Sequence, residues 1–148
     1  MTGKRMGILM VAAALIALPG CHRNTEVAAG GSVSALQTGT WTLVELNGHP
    51  AGMGAGGQPA TLQFDADRAS GFAGCNRFSS TYEMSGATLR FTAPVSTRMA
   101  CASGMELEVA YLNAIAATRS HRATGNGLEL LGDGGAVLAR FTAQSGGA

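Results

Sequence analysis

The run Ser120-His121-Arg122-Ala123-Thr124, Gly125-Asn126-Gly127, Leu128-Glu129-Leu130-Leu131, Gly132-Asp133-Gly134-Gly135 and then Ala136 to Phe141 decides the fold. Three short segments of strand character are separated by two glycine turns, a pattern that reads as an antiparallel meander. The composition agrees. Glycine supplies 22 of 148 residues, about twice its usual share, and charged residues are 13%, about half of theirs. A turn-rich chain of this length builds one domain.

Working back towards the N-terminus, the same grammar repeats. Thr81-Tyr82-Glu83-Met84 turns at Ser85-Gly86 into Thr88-Leu89-Arg90-Phe91. Arg68 to Gly74 reads as a strand whose glycines mark close backbone approach. Thr61-Leu62-Gln63-Phe64 alternates, and Trp41 to Leu46 ends at the Asn47-Gly48 turn. One segment breaks the pattern. Met105, Val109, Leu112 and Ala116, with Ile115 beside them, form a helical stripe expected to pack on the sheet. Ser103 and Glu106 have capping-box spacing, and Glu106 and Glu108 suit the positive end of a helix. The expectation is a mainly β, α+β fold: an antiparallel sheet or barrel of about seven to eight short strands, with one packed helix over about 104–118.

The N-terminus reads as an address. Lys4 and Arg5 precede an uncharged apolar run from Met6 to Leu18, too short to cross a bilayer as a helix. Leu18-Pro19-Gly20-Cys21 resembles the lipobox of bacterial lipoproteins, with Pro19 a departure from the usual small residue. That resemblance implies cleavage of 1–20 and acylation of Cys21. The alternative is an ordinary signal peptide cut nearby. Loss of Lys4 and Arg5 turns the formal charge from +1 to −1, which excludes a basic nucleic-acid footprint. By resemblance to lipoprotein sorting, His22 beside Cys21 favours the outer membrane. The Ala-, Gly-, Ser- and Thr-rich stretch 21–37 reads as a flexible tether, leaving 38–143 as the domain.

Two blocks carry a family likeness. They are Gly74-Cys75-Asn76-Arg77-Phe78, followed by Tyr82, and Thr97-Arg98-Met99-Ala100-Cys101. With Trp41-Thr42-Leu43, a helix bearing Glu108 and Tyr111, and Leu128-Glu129-Leu130, they resemble the META domain family, which includes the HslJ-like bacterial lipoproteins. The resemblance implies a small, mainly β domain with a helix, membership among envelope lipoproteins linked to stress or antibiotic tolerance, and no established enzymatic activity.

The candidate sites follow. With Cys21 assigned to the lipid, Cys75 and Cys101 remain in an oxidising compartment, where a disulfide is favoured over two buried thiols. Closing a loop of that size is worth roughly 3.5 kcal/mol. Asn76, Arg77, Thr97, Arg98 and Glu108 have two readings: a polar binding cluster, or side chains that satisfy backbone groups where strands bend. The second is preferred. His22, His49 and His121 are scattered and read as exposed. Gly52-Met53-Gly54-Ala55-Gly56-Gly57 satisfies G-x-G-x-x-G but precedes a strand, so it reads as a flexible loop and not a phosphate cradle. No catalytic spacing, metal set or cofactor motif is expected. The expected role is a non-catalytic envelope lipoprotein that binds or supports a partner. The alternatives are an inhibitor of an envelope-acting enzyme, using Ala51–Gln58 as an inserting loop, and a carrier of a small apolar ligand inside a barrel. The expected partners are the membrane, through the lipid, and an envelope protein.

Overall fold

A computed structural model describes residues 33–37 and 39–144. The C-terminal run forms the expected meander, as β8 (Ser120–Thr124), β9 (Gly127–Leu131) and β10 (Val137–Ala143). Inward positions alternate: Leu128 and Leu130 of β9 are buried while their neighbours are not. The remaining strands are β1 (Thr40–Leu46), β2 (His49–Pro50), β3 (Thr61–Asp65), β4 (Arg68–Phe72), β5 (Arg77–Ser85), β6 (Thr88–Phe91) and β7 (Val95–Ser96).

Eight of these strands close a ring. Their order is β1-β3-β4-β5-β6-β8-β9-β10, and β10 pairs back onto β1 through Trp41↔Ala143 to Leu46↔Ala139. Closure removes the free sheet edges that an open sheet would carry. The closing strands bend through register shifts between Leu43 and Glu45 and between Val137 and Ala139. The two short strands are additions, with β2 on β1 and β7 on β5. The architecture is an eight-stranded antiparallel barrel with one main helix.

That helix is α2 (Met105–Ala117), carried in the long connection from β6 to β8. Tyr111 places it. The ring stands 5.6 Å from Phe78 of β5, nearly perpendicular to it, and 6.0 Å from Phe141 of β10. β5 and β10 lie four places apart in the ring, on opposite walls, so Tyr111 occupies the barrel axis. Its hydroxyl donates to the Thr61 carbonyl at 3.0 Å. Burial pushes the Tyr111 phenol well above its ordinary pKa. An apolar ligand inside the barrel would have to displace this ring.

The structure corrects several expectations. The buried residues of α2 are Glu108, Tyr111, Ala114 and Ile115, whereas Met105 and Val109 of the expected stripe are 43% and 61% exposed. Ala116 is exposed as well. The helix is apolar on nearly every side, so spacing alone does not choose its inner face. Ser103 makes no capping bond. The helix starts at Gly104, whose φ is +88°, with Glu108 N–H donating to the Gly104 carbonyl. Gly54, Gly74 and Gly104 meet backbone to backbone: a Cβ on Gly54 or Gly104 would come within 2.2 or 2.1 Å of the Gly74 carbonyl oxygen. Ala55 N–H donates to that oxygen at 2.6 Å, so the glycine-rich loop is pinned, not loose. His121 is buried, with Nδ1 3.2 Å from the Ala87 carbonyl, because it occupies an inward position of β8. His49 is exposed, as expected.

The boundary at 37 also moves. Val33–Leu36 is a helical turn, α1, and Leu36 is fully buried. The Leu36 carbonyl accepts from Trp41 Nε1 at 2.9 Å, and Gln37 Nε2 donates to the Ala66 carbonyl. Residues 33–37 therefore belong to the domain. The expected signal peptide, His22, the lipid site at Cys21 and the rest of the tether lie outside the described residues.

Candidate functional site

Two regions meet on α2. The first is a polar knot at the turn that leads into β5. The turn 73–76 is closed by Ala73 N–H donating to the Asn76 carbonyl at 2.8 Å. This leaves the N–H groups of Cys75 and Asn76 turned towards α2. Glu108, in the first turn of the helix, receives them: its Oε2 accepts from Asn76 N at 2.5 Å and Cys75 N at 3.3 Å. Oε1 accepts from Asn76 Nδ2 at 3.1 Å. A carboxylate here also sits at the positive end of the helix.

Asn76 continues the network to the 97–101 segment. Its Oδ1 accepts from Thr97 Oγ1 at 2.9 Å and from Met99 N at 2.7 Å. Its Nδ2 also donates to the Met99 carbonyl at 3.2 Å. A side-chain amide has two donor hydrogens and an oxygen with two lone pairs, and here all four are used. The residue is 2% exposed. The Cys75–Cys101 disulfide closes the same junction covalently, with Cα atoms 5.8 Å apart. The five polar residues singled out in the sequence thus divide. Asn76, Thr97 and Glu108 come together in one network. Arg77 and Arg98 are exposed, and neither guanidinium joins it.

This arrangement fastens three segments that have no regular pairing of their own: the 74–76 turn, the 97–101 strap and the start of α2. Binding a ligand at Asn76 would require breaking bonds that already exist. Among the described residues, no group of three or more His, Cys, Asp or Glu side chains stands close enough to hold a metal ion.

A family model for the META domain matches residues 34–145. The chain belongs to the META domain family. Among solved structures, this META domain resembles a protein from Burkholderia xenovorans determined by NMR. The identity is 24%, covering 93% of this chain and all of the other, with a TM-score of 0.61. A second protein solved by NMR is 25% identical, covers 76% of this chain and 95% of its own, and has a TM-score of 0.59. A DUF4847 family protein from Bacteroides vulgatus, solved by crystallography, shares the fold at 15% identity over 77% of this chain and 98% of its own, with a TM-score of 0.55. No curated protein matches this chain.

The second region lies on the outer side of α2. An open groove of about 670 Å³ runs between the helix and the β1 and β10 side of the barrel. Met105, Val109, Ala110, Ala114, Ala117 and Leu138 form its apolar walls, with Asn47, Glu106 and Asn113 among the lining residues. Its volume falls within the roughly 300–1,000 Å³ typical of small-molecule sites. Sequence reasoning missed this groove. Met105 and Val109 were assigned to the core, and nothing local marks Asn47 or Leu138 as its other wall.

An ion-pair ladder on the barrel exterior was also missed. Arg140 bonds both Glu45 and Glu129, and Arg122 bonds Glu129 at 2.8 Å. The hydrogen bond from Arg140 holds the Glu129 carboxyl below its ordinary range, against partial desolvation. The partners sit on neighbouring strands β1, β10, β9 and β8, so only the register brings them together.

Proposed function

We propose that this META domain is a non-catalytic binding module, held in the cell envelope by lipid on Cys21, with the α2 groove as its contact surface. One observation carries the reading. Asn76, the most distinctive polar residue of the family-like blocks, has every hydrogen-bonding position taken internally, while the groove on the other side of α2 is open and apolar. Reactive polar side chains in an active site need bonding capacity left for substrate. A groove with apolar walls needs only a shape to fill it.

The lipobox-like Leu18-Pro19-Gly20-Cys21 supports the envelope location, and His22 supports the outer membrane. Resemblance to HslJ-like lipoproteins supports a role in tolerance of stress or antibiotics. The test is capture of partners from intact membranes, with Cys21→Ser as the unanchored control and Val109→Asp as the groove control. The expected result is a partner set lost in Val109→Asp and reduced in Cys21→Ser. Turnover of an envelope substrate by the purified chain, abolished by Asn76→Ala in a variant that still folds, would overturn it.

A further inference from the structure

The groove beside α2 recognises by shape and apolarity. Met105, Val109, Ala110 and Leu138 form its walls, and among the described residues the only charged one lining it is Glu106. Met105 and Val109 are large apolar side chains left in water, on a helix already apolar on its buried side. An aliphatic chain is the ligand class that gains from such walls and asks them for no hydrogen bond.

The molecule itself carries such a chain, if Cys21 is acylated as proposed above. Val33 follows Cys21 by twelve residues. Twelve residues reach at most about 40 Å. On the domain, Leu36 packs at the Trp41 end of β1, and Asn47 of the groove follows the other end of that strand. A seven-residue strand is roughly 20 Å long. That distance lies within the reach of twelve residues, so a ligand tethered through them can meet the groove of its own molecule at high effective concentration.

We propose that the α2 groove receives an acyl chain carried on Cys21 of the same molecule. The groove shelters the chain when the protein is in water and releases it when the chain enters a bilayer. The proposal rests on the lipid-anchor reading of Cys21, and its test separates the two. Cys75 and Cys101 are joined to each other, which leaves Cys21 of the mature chain (residues 21–148) as its free thiol. That thiol can be alkylated with one hexadecyl group. The unmodified comparison is Cys21→Ser titrated with palmitic acid below its aggregation concentration, followed through the methyl signals of Met105 and Val109.

The expected result is one-to-one binding of palmitate that moves both signals and weakens at least tenfold in Val109→Asp and in Met105→Lys. Circular dichroism and melting of those two exposed-site variants should stay unchanged. The hexadecyl-modified chain should show the shifted signals without added palmitate, and should bind added palmitate at least tenfold more weakly than Cys21→Ser. Three outcomes would overturn the proposal: no palmitate binding by Cys21→Ser, equal binding by the groove variants, or a concentration-dependent dimer lost in Val109→Asp, which would give the groove to a second copy. Intact mass of the membrane-extracted chain without acyl groups would sink the anchor reading and the proposal with it, whereas failure of palmitate binding alone would sink only the proposal.

Discussion

Helix α2 has two sides that are similar in composition and opposite in fate. The inner side, with Tyr111 and Ile115, is sealed into the barrel and fastened by Glu108 to the turn at Asn76. The outer side, with Met105, Val109 and Ala110, borders an open groove. Apolar side chains are present on both, so hydrophobicity does not separate them. Directional groups do. Tyr111 has aromatic partners on two opposite walls and a carbonyl for its hydroxyl, and Glu108 has three N–H donors waiting for it. Turning the helix over would leave those donors buried without an acceptor, a cost of about 1–3 kcal/mol each. The difference teaches that in a short apolar helix the polar anchors set the rotation, and the surplus apolar surface becomes available for binding.

The comparison is broken most severely from the inside. Tyr111→Ala should cost about 3–5 kcal/mol, because it empties the axis between Phe78 and Phe141. The urea midpoint measures this, and a loss below about 1 kcal/mol would mean that the ring does not hold the barrel together. Glu108→Ala should cost on the order of 3 kcal/mol by orphaning the buried N–H groups of Cys75 and Asn76. Glu108→Gln, which keeps an acceptor oxygen, should recover part of that loss. The double replacement Cys75→Ala, Cys101→Ala opens a loop of 26 residues and should cost roughly 2–4 kcal/mol.

Smaller effects sharpen the contrast. The folded chain keeps the Tyr111 proton at pH values where the unfolded chain releases it, so stability falls as pH rises above about 10. Tyr111→Phe should flatten that alkaline limb in thermal melts taken across pH. Glu129 works in the opposite direction. Its carboxyl is held low by Arg140, so its contribution is present at neutral pH and lost as pH falls through the carboxylate range. Glu129→Gln should remove that acid dependence and cost no more than about 1 kcal/mol, as surface pairs do. Least of all, Val109→Asp on the outer side should leave stability within about 0.5 kcal/mol, since the side chain is in water already. A large loss there would mean that the groove is part of the core after all.

Much of the barrel was legible because its signals are local. Asn47-Gly48 at the first hairpin, Ser85-Gly86 at the β5–β6 turn and Gly125-Asn126-Gly127 near the end place turns, and period-two alternation around them places strands. Gly71 behaves as its position in a strand suggests, with the Thr61 carbonyl where a Cβ would sit. The short β7 and the early start of β5 were not legible. Val95-Ser96 pairs with β5 beside the 97–101 strap, which is held by Asn76 and Cys75 through long-range contacts. Leu36 was missed because Val27, Val33 and Leu36, scattered in a polar, small-residue stretch, are too few to show a period. His121 was misjudged because turn composition beside it outweighed its inward position in β8.

In the candidate site, the family resemblance singled out Asn76, Thr97 and Glu108 but not their connection, since residues 76, 97 and 108 meet only when α2 lies across the turn. It also grouped Arg77 and Arg98 with them, though alternation at the start of β5 turns Arg77 outward. By itself the sequence determined the strand-and-turn order, the presence of one helix, the family blocks and the pair of cysteines able to join. Those properties rest on interactions between residues near in the chain or on residue type. Tertiary structure alone decided the closure of β1 onto β10, the rotation of α2 and therefore the existence of the groove. Each depends on long-range partners whose geometry no local pattern encodes.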